Sequence, residues 1–349
     1  MKTASDTLAS TMCKPPETIK PFAAYFIFIL VASMSRLYSM PVFDKTDING
    51  QKTQALQEKL SGQNKATLSS HNKKTQSLPD GLEIFMDAYP DISFTAEYDD
   101  DLSDWKITLK IPENQTMSTA EFYWTDGSFL PREHLGDKQK HWTLLYNYAK
   151  ELKDPSTYTQ EEIEQIRLFS SADNRQNGSG TPQYFFDAVY DCKTRGAVER
   201  HIKKTFFLGK ILNVHEKIIP VLKKIESEIN EASKTDILIQ DFVDDLYQAD
   251  GYLWRNIRDS NRKSFHAMGL AVDVLPKRWG HKIIYWNWQA QHDPQNWMLT
   301  PLSERWMPPD GVIKIFEDNG FIWGGKWPIW DNMHFEYRPE LILYQRSKK

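Results

Sequence analysis

The chain has 349 residues, enough for two compact domains or one domain with extensions. Apolar residues make up 40% and aromatic residues 13%, which excludes a disordered chain. Its 43 basic and 47 acidic side chains leave a net charge of -4. No basic field invites nucleic acid, so no nucleic-acid partner is expected. The two cysteines, Cys13 and Cys192, exclude a disulfide framework and a thiolate zinc site. Cys192 is expected to act as a small buried hydrophobe.

Residues 22–34 carry no charge and follow Lys14 and Lys20. A short apolar run with a positive flank fits a signal-peptide core better than a full membrane span. Cleavage after Ser33 would put Val31 and Ser33 at the small-residue positions. Arg36 and the apolar residues 37–43 equally allow an uncleaved membrane anchor. Residues 1–43 are therefore expected to direct export, to the periplasm or to the outer face of a membrane. Residues 44–80 are rich in Gln, Lys, Ser, Asn and Thr and are expected to form a linker.

Residues 92–98, 105–111 and 120–124 alternate apolar and polar side chains, which predicts strands of a small β-rich module. Helical patterns follow at 138–152 and 160–168. Residues 170–183, "SSADNRQNGSGTPQ", predict a loop and the boundary between a module at 81–180 and a second domain at 181–349. Helices are expected at 184–192 and from 197 to about 208. In "ILNVHEKIIPVLKKIESEI" a helical stripe runs from Ile211 to Ile229, with Pro220 starting or kinking the helix. His215, beside that stripe, is expected to be a core or surface residue. Nine of the twelve tryptophans lie in the last hundred residues. They are expected to fill a compact core rather than to form a saccharide platform.

The chemistry concentrates in "SFHAMGLAVD" and "WDNMHFEY". Asp273 sits in the apolar run 271–275, where an unpaired charge costs several kcal/mol, so it needs a partner. A turn near Gly269 would let His266, on a loop or helix end, converge with Asp273 on the strand that follows. A metal ion is an economical partner for such a pair, and His334 would complete a three-ligand set. Two histidines and one carboxylate suit Zn²⁺ and leave a fourth position for water. Asp331, three residues before His334, would serve as general base and then proton donor. Arg255 could grip a substrate carbonyl or carboxylate. Ser264 could bind substrate or orient the loop, and Glu336 could support a zinc histidine. Each has a plainer alternative. Asp273 could pair with Arg278 or Arg262, Asp331 could be a turn residue, and Arg255 and Glu336 could be exposed.

"SFHAMGLAVD" matches the S-x-H-x-x-G-x-A-x-D signature of the zinc D-alanyl-D-alanine carboxypeptidase family, and "GFIWGGKWPIWDNMHFE" resembles its second motif, W-G-G-x-W followed by D-x-x-H-F-E. That family includes vancomycin-resistance D,D-peptidases and phage L-alanyl-D-glutamate endolysins. The resemblance spans roughly residues 184–343. It implies zinc ligands His266, Asp273 and His334, with Asp331 as acid/base and the family's upstream arginine at Arg255. It also implies an α+β fold, a small mostly antiparallel sheet with packed helices around the zinc, here preceded by the β-rich module. The expected substrate is the peptide stem of peptidoglycan, cut first of all as a D,D-carboxypeptidase. The rivals are a peptidoglycan endopeptidase and a non-catalytic wall-binding protein.

Overall fold

The structure is a computed structural model and describes residues 78–348, except 114, 115 and 259. The expected leader, the linker up to residue 77 and Cys13 lie outside the described residues. Among the described residues, no helix is long and apolar enough to cross a membrane.

Helix α1 (Leu82–Ala88) opens the described chain and is followed by strands β1 (Ser93–Asp99), β2 (Asp104–Glu113), β3 (Thr116–Trp124) and β4 (Phe129–Leu130), one antiparallel sheet in that order. The period-two pattern does what it implies, since Ile107, Leu109 and Ile111 are buried on one face of β2. Phe129 lies 4.9 Å from Phe85 of α1 and 4.8 Å from Phe185, ring centre to ring centre. Phe185 belongs to the second half of the chain, so the apolar core is continuous from one part to the other.

Residues 138–152 are not helical: a 3₁₀ stretch, Arg132–Lys140, gives way to extended chain. The extended chain wedges between two apolar clusters, burying Leu144 and Leu145 in one and Trp142, Tyr146 and Tyr148 in the other. Residues 170–183 are not all loop. The Ser171 hydroxyl accepts from the Asn174 amide and caps a short helix, α3 (Ala172–Asn177), just after α2 (Gln160–Ser170). Beyond α4 (Tyr184–Val189), the helix expected over 197–208 stops early. Helix α5 (Arg195–His201) hands over to β5 (Ile202–Phe207), where Ile202, Thr205 and two phenylalanines prefer the pleated surface. A tight turn at Leu208–Gly209 returns the chain along β6 (Lys210–His215).

The helical stripe expected from Ile211 holds only in its second half: Ile211 and Val214 lie on β6, where pairing with β5 takes their backbone, and helix α6 (Ile219–Ala232), with Pro220 in its first turn, buries Leu222, Ile225 and Ile229. Helix α7 (Ile237–Asp245) leads into β7 (Leu246–Asp250). This strand is the edge of a second antiparallel sheet, ordered β7, β8 (Ala271–Pro276), β10 (His334–Tyr337), β9 (Phe321–Trp323). Helix α8 (Trp286–His292) precedes a long loop, α9 (Asp310–Asp318) packs on the sheet, and α10 (Pro339–Ser347) closes the chain. The architecture is α+β, with small antiparallel sheets and packed helices, as expected.

The two faces of the second sheet differ. Val272 pairs with Phe335 across β8 and β10, and Phe335 stacks on Phe316 of α9 with ring centres 4.0 Å apart. The alternate residues Asp273, His334 and Glu336 project from the other face. The pleat thus separates a greasy side from a polar, buried side within single strands. Five tryptophans of the C-terminal part (286, 297, 323, 327 and 330) are buried in the core, while Trp279 is exposed.

Candidate metal centre

Asp273 and His334 are direct cross-strand partners in the β8–β10 ladder, so their side chains meet on one face. His334 Nδ1 lies 2.7 Å from Asp273 Oδ1. His266 comes from elsewhere, on a 3₁₀ turn (Phe265–Met268) just before β8. Gly269 ends that turn at φ 69°, a left-handed position that favours glycine, and redirects the chain into the strand. The Ser264 hydroxyl caps the turn by accepting from the His266 amide at 3.2 Å. His266 Nε2 then stands 3.2 Å from Asp273 Oδ2 and 3.1 Å from His334 Nδ1.

The outer nitrogens fix the ring tautomers. His266 Nδ1 donates to the Gly251 carbonyl at 2.6 Å, which leaves Nε2 as a lone pair facing the site. His334 Nε2 donates to Glu336 Oε1 at 3.3 Å, so Nδ1 faces the site too. Gly251 is needed for this approach, since a Cβ there would meet the Asn213 carbonyl oxygen at 2.2 Å.

All three residues are at most 4% exposed. Burial works against ionisation of Asp273, yet the two histidines hold its carboxyl well below the usual range. Burial likewise opposes a charge on His334, but Asp273, and then Glu336, raise its pKa to about 10.

A divalent ion fits between these residues. The three facing atoms lie within 4.8 Å of one another. A tetrahedral zinc with bonds of about 2.0–2.1 Å has ligand-to-ligand edges of about 3.3 Å, close to the separations seen.

Asp331 follows the core residue Trp330 and is anchored by its amide, which donates to the Gly324 carbonyl at 3.1 Å. It is 1% exposed, and its Oδ1 has no hydrogen-bond partner among the described residues. Burial pushes its carboxyl well above the ordinary range; the Asp273 charge adds to this, while His334 and Arg255 oppose it. Arg255 is half-buried and within electrostatic reach of Asp273 and Asp331; burial lowers its pKa and these acids raise it. Tyr285 forms a bridge with Asp331. Burial raises the pKa of its phenol, as does Asp331, against the charges of Arg258, Arg175 and Arg255. The charges of three arginines therefore reach this end of the site.

The plainer partners are engaged elsewhere. Arg278 pairs with Asp245 at 3.1 Å, and Arg262 donates to the carbonyls of Ser179 and Arg175. His215 is a core residue, its Nε2 3.0 Å from the Tyr190 carbonyl. Cys192 is a buried free thiol. Sequence reasoning missed Asp250, the partner of Asp273 on β7, and Tyr285, Arg175 and the Gly251 carbonyl. The strand pattern of residues 246–250 held the only signal for the first, because register is invisible until strands pair.

Residues 258–337 match the family model described as D-alanyl-D-alanine carboxypeptidase, the family that both motifs resemble. The match contains His266, Asp273, Asp331 and His334 and starts three residues after Arg255. Residues 81–145 match a model described as a domain of unknown function (DUF8518). No curated protein and no solved structure matches the chain.

Proposed function

We propose, from a C-terminal domain of the D-alanyl-D-alanine carboxypeptidase family, a family of metallopeptidases, that this chain is an exported zinc peptidase acting on the peptide stems of peptidoglycan. The observation that carries the proposal is the pair of ring nitrogens, each aimed by a fixed second hydrogen bond at the same buried carboxylate. His266, Asp273 and His334 would hold the zinc, which would supply Lewis acidity toward a carbonyl oxygen and toward water. Asp331 takes the proton from the attacking water and returns it to the leaving amine. Burial raises the Asp331 carboxyl pKa, which helps it to hold the proton it takes before passing it on. Arg255, within electrostatic reach of Asp331, would stabilise the oxygen on which negative charge builds. Ser264 and Glu336 position His266 and His334 through the bonds described.

The preferred cut is removal of a terminal D-Ala. The positive charges of Arg175, Arg255 and Arg258, all felt at Tyr285, support this, since a carboxypeptidase must recognise a free carboxylate beside the scissile bond. Export, with membrane tethering if the leader stays uncleaved, rests on the apolar residues 22–34.

The test is mass spectrometry of a defined muropeptide pentapeptide incubated with zinc or with a chelator. Zinc-dependent loss of one D-Ala supports the carboxypeptidase. Internal fragments would make it an endopeptidase. An intact substrate, with wall material bound, would replace hydrolysis by binding.

A further inference from the structure

The geometry points to the N-terminal module as a brace for the metal centre, acting through Arg338 and Tyr89 as positioning residues. The inference rests on the metal-centre reading above and concerns residues outside the peptidase match.

A chain of buried polar groups runs from the module to the metal ligand His334; its steps are hydrogen bonds except the one between Arg338 and Glu336, which is electrostatic. Tyr89, just after α1, donates its hydroxyl to Glu340 Oε2 at 2.8 Å. Glu340 Oε1 accepts from Arg338 Nε. Arg338 Nη2 donates to the carbonyl of Leu144, a second module residue, at 3.2 Å. Arg338 Nη1 stands 4.0 Å from Glu336 Oε2, and Glu336 Oε1 accepts from His334 Nε2. Glu336, Arg338 and Glu340 are at most 2% exposed, and Tyr89 is buried.

The guanidinium is also held by aromatic faces. It lies 5.6 Å from the Tyr146 ring centre and 5.1 Å from those of Phe186 and Phe265. Phe265 immediately precedes His266. Arg338 therefore lies beside the supports of both histidine ligands, and two of its partners, Leu144 and Tyr146, belong to the module. A charge buried this deeply keeps its place only if every partner does. Glu336 in turn sets the ring orientation and basicity of His334, as acceptors behind metal-bound histidines do. The module thus supplies the fixed end of a relay whose other end is a ligand.

The test uses the full chain and two charge-preserving variants. Arg338→Lys keeps the positive charge but loses the planar fork that reaches Glu340 and the Leu144 carbonyl together. Tyr89→Phe removes one oxygen and leaves the packing. Zinc affinity is read by competition with a chromophoric chelator, and ligand geometry by the visible absorption of the Co²⁺-loaded protein. Loss of a supporting contact behind a metal ligand weakens binding about 10- to 100-fold, which is expected for Arg338→Lys, with a shifted Co²⁺ spectrum. Tyr89→Phe is expected to shift both in the same direction by a smaller factor. A merely structural role would lower the melting temperature and leave affinity and spectrum alone. Zinc affinity within twofold of wild type and an unchanged spectrum in both variants would overturn the proposal. If Arg338→Lys does not fold, Tyr89→Phe decides by the same criterion. A wild-type chain that binds neither ion would instead sink the metal-centre reading itself.

Discussion

Replacing Gly251 by alanine tests how tightly the backbone holds the site. The new Cβ would lie 2.2 Å from the Asn213 carbonyl oxygen and 2.8 Å from Val214 Cγ1. Real Cβ contacts do not fall below 3.0 Å, so the end of β7 and the end of β6 must part by at least the difference. Relaxing such an overlap costs about 1–3 kcal/mol of stability. The same movement carries away the Gly251 carbonyl, whose 2.6 Å bond fixes His266 with Nε2 toward the site. Losing an acceptor of this kind weakens metal binding about 10- to 100-fold. Thermal melts of the metal-free variant should fall by roughly 2–12 °C, taking about 2–4 °C per kcal/mol for a fold of this size. Chelator competition should show the affinity loss separately. A variant that melts lower but binds zinc as wild type does would refute the role given to the carbonyl. One unchanged in both would refute the packing argument too.

Other expectations follow from the same geometry. Asp331→Asn should reduce muropeptide hydrolysis about 10²- to 10⁴-fold while zinc affinity, measured by chelator competition, stays close to wild type. Arg255→Ala should lower kcat/KM by about 10²-fold, again with zinc retained; unaltered kcat/KM would remove Arg255 from the mechanism. Adding zinc to 100 times its dissociation constant should stabilise the folded chain by about 2.7 kcal/mol, seen as a higher melting temperature that a chelator reverses. Burial lowers the pKa of His215 from 6.5 to about 4, against the Tyr190 carbonyl that raises it. The folded chain then holds fewer protons than the unfolded chain in this interval, so stability is lost as pH falls from 6.5 toward 4. The loss amounts to at most ~3 kcal/mol from this residue. Denaturant melts of His215→Gln across that interval should show a flatter pH dependence, and an unchanged slope would clear His215 of the effect.

The sequence by itself determined the ligand types and their order. His266 and Asp273 stand seven residues apart around Gly269, and a carboxylate inside an apolar strand demands a partner wherever that strand lies. The strands of the module were legible as well, because alternation over seven to ten residues is a local property. The helices at 138–152 and beyond His201 were misjudged, since those stretches bury side chains against two separate clusters or join a hairpin. Only contacts distant in sequence decide that. Tertiary structure alone put His334 opposite Asp273, through a register that slips every side chain to the other face if shifted by one residue. It alone aimed the rings through the Gly251 carbonyl and Glu336, and joined Arg338 to Tyr89 across 249 positions of chain. The reason is physical. Residue types fix which atoms can bind a metal, but orientation comes from hydrogen bonds whose partners become neighbours only after the core has formed.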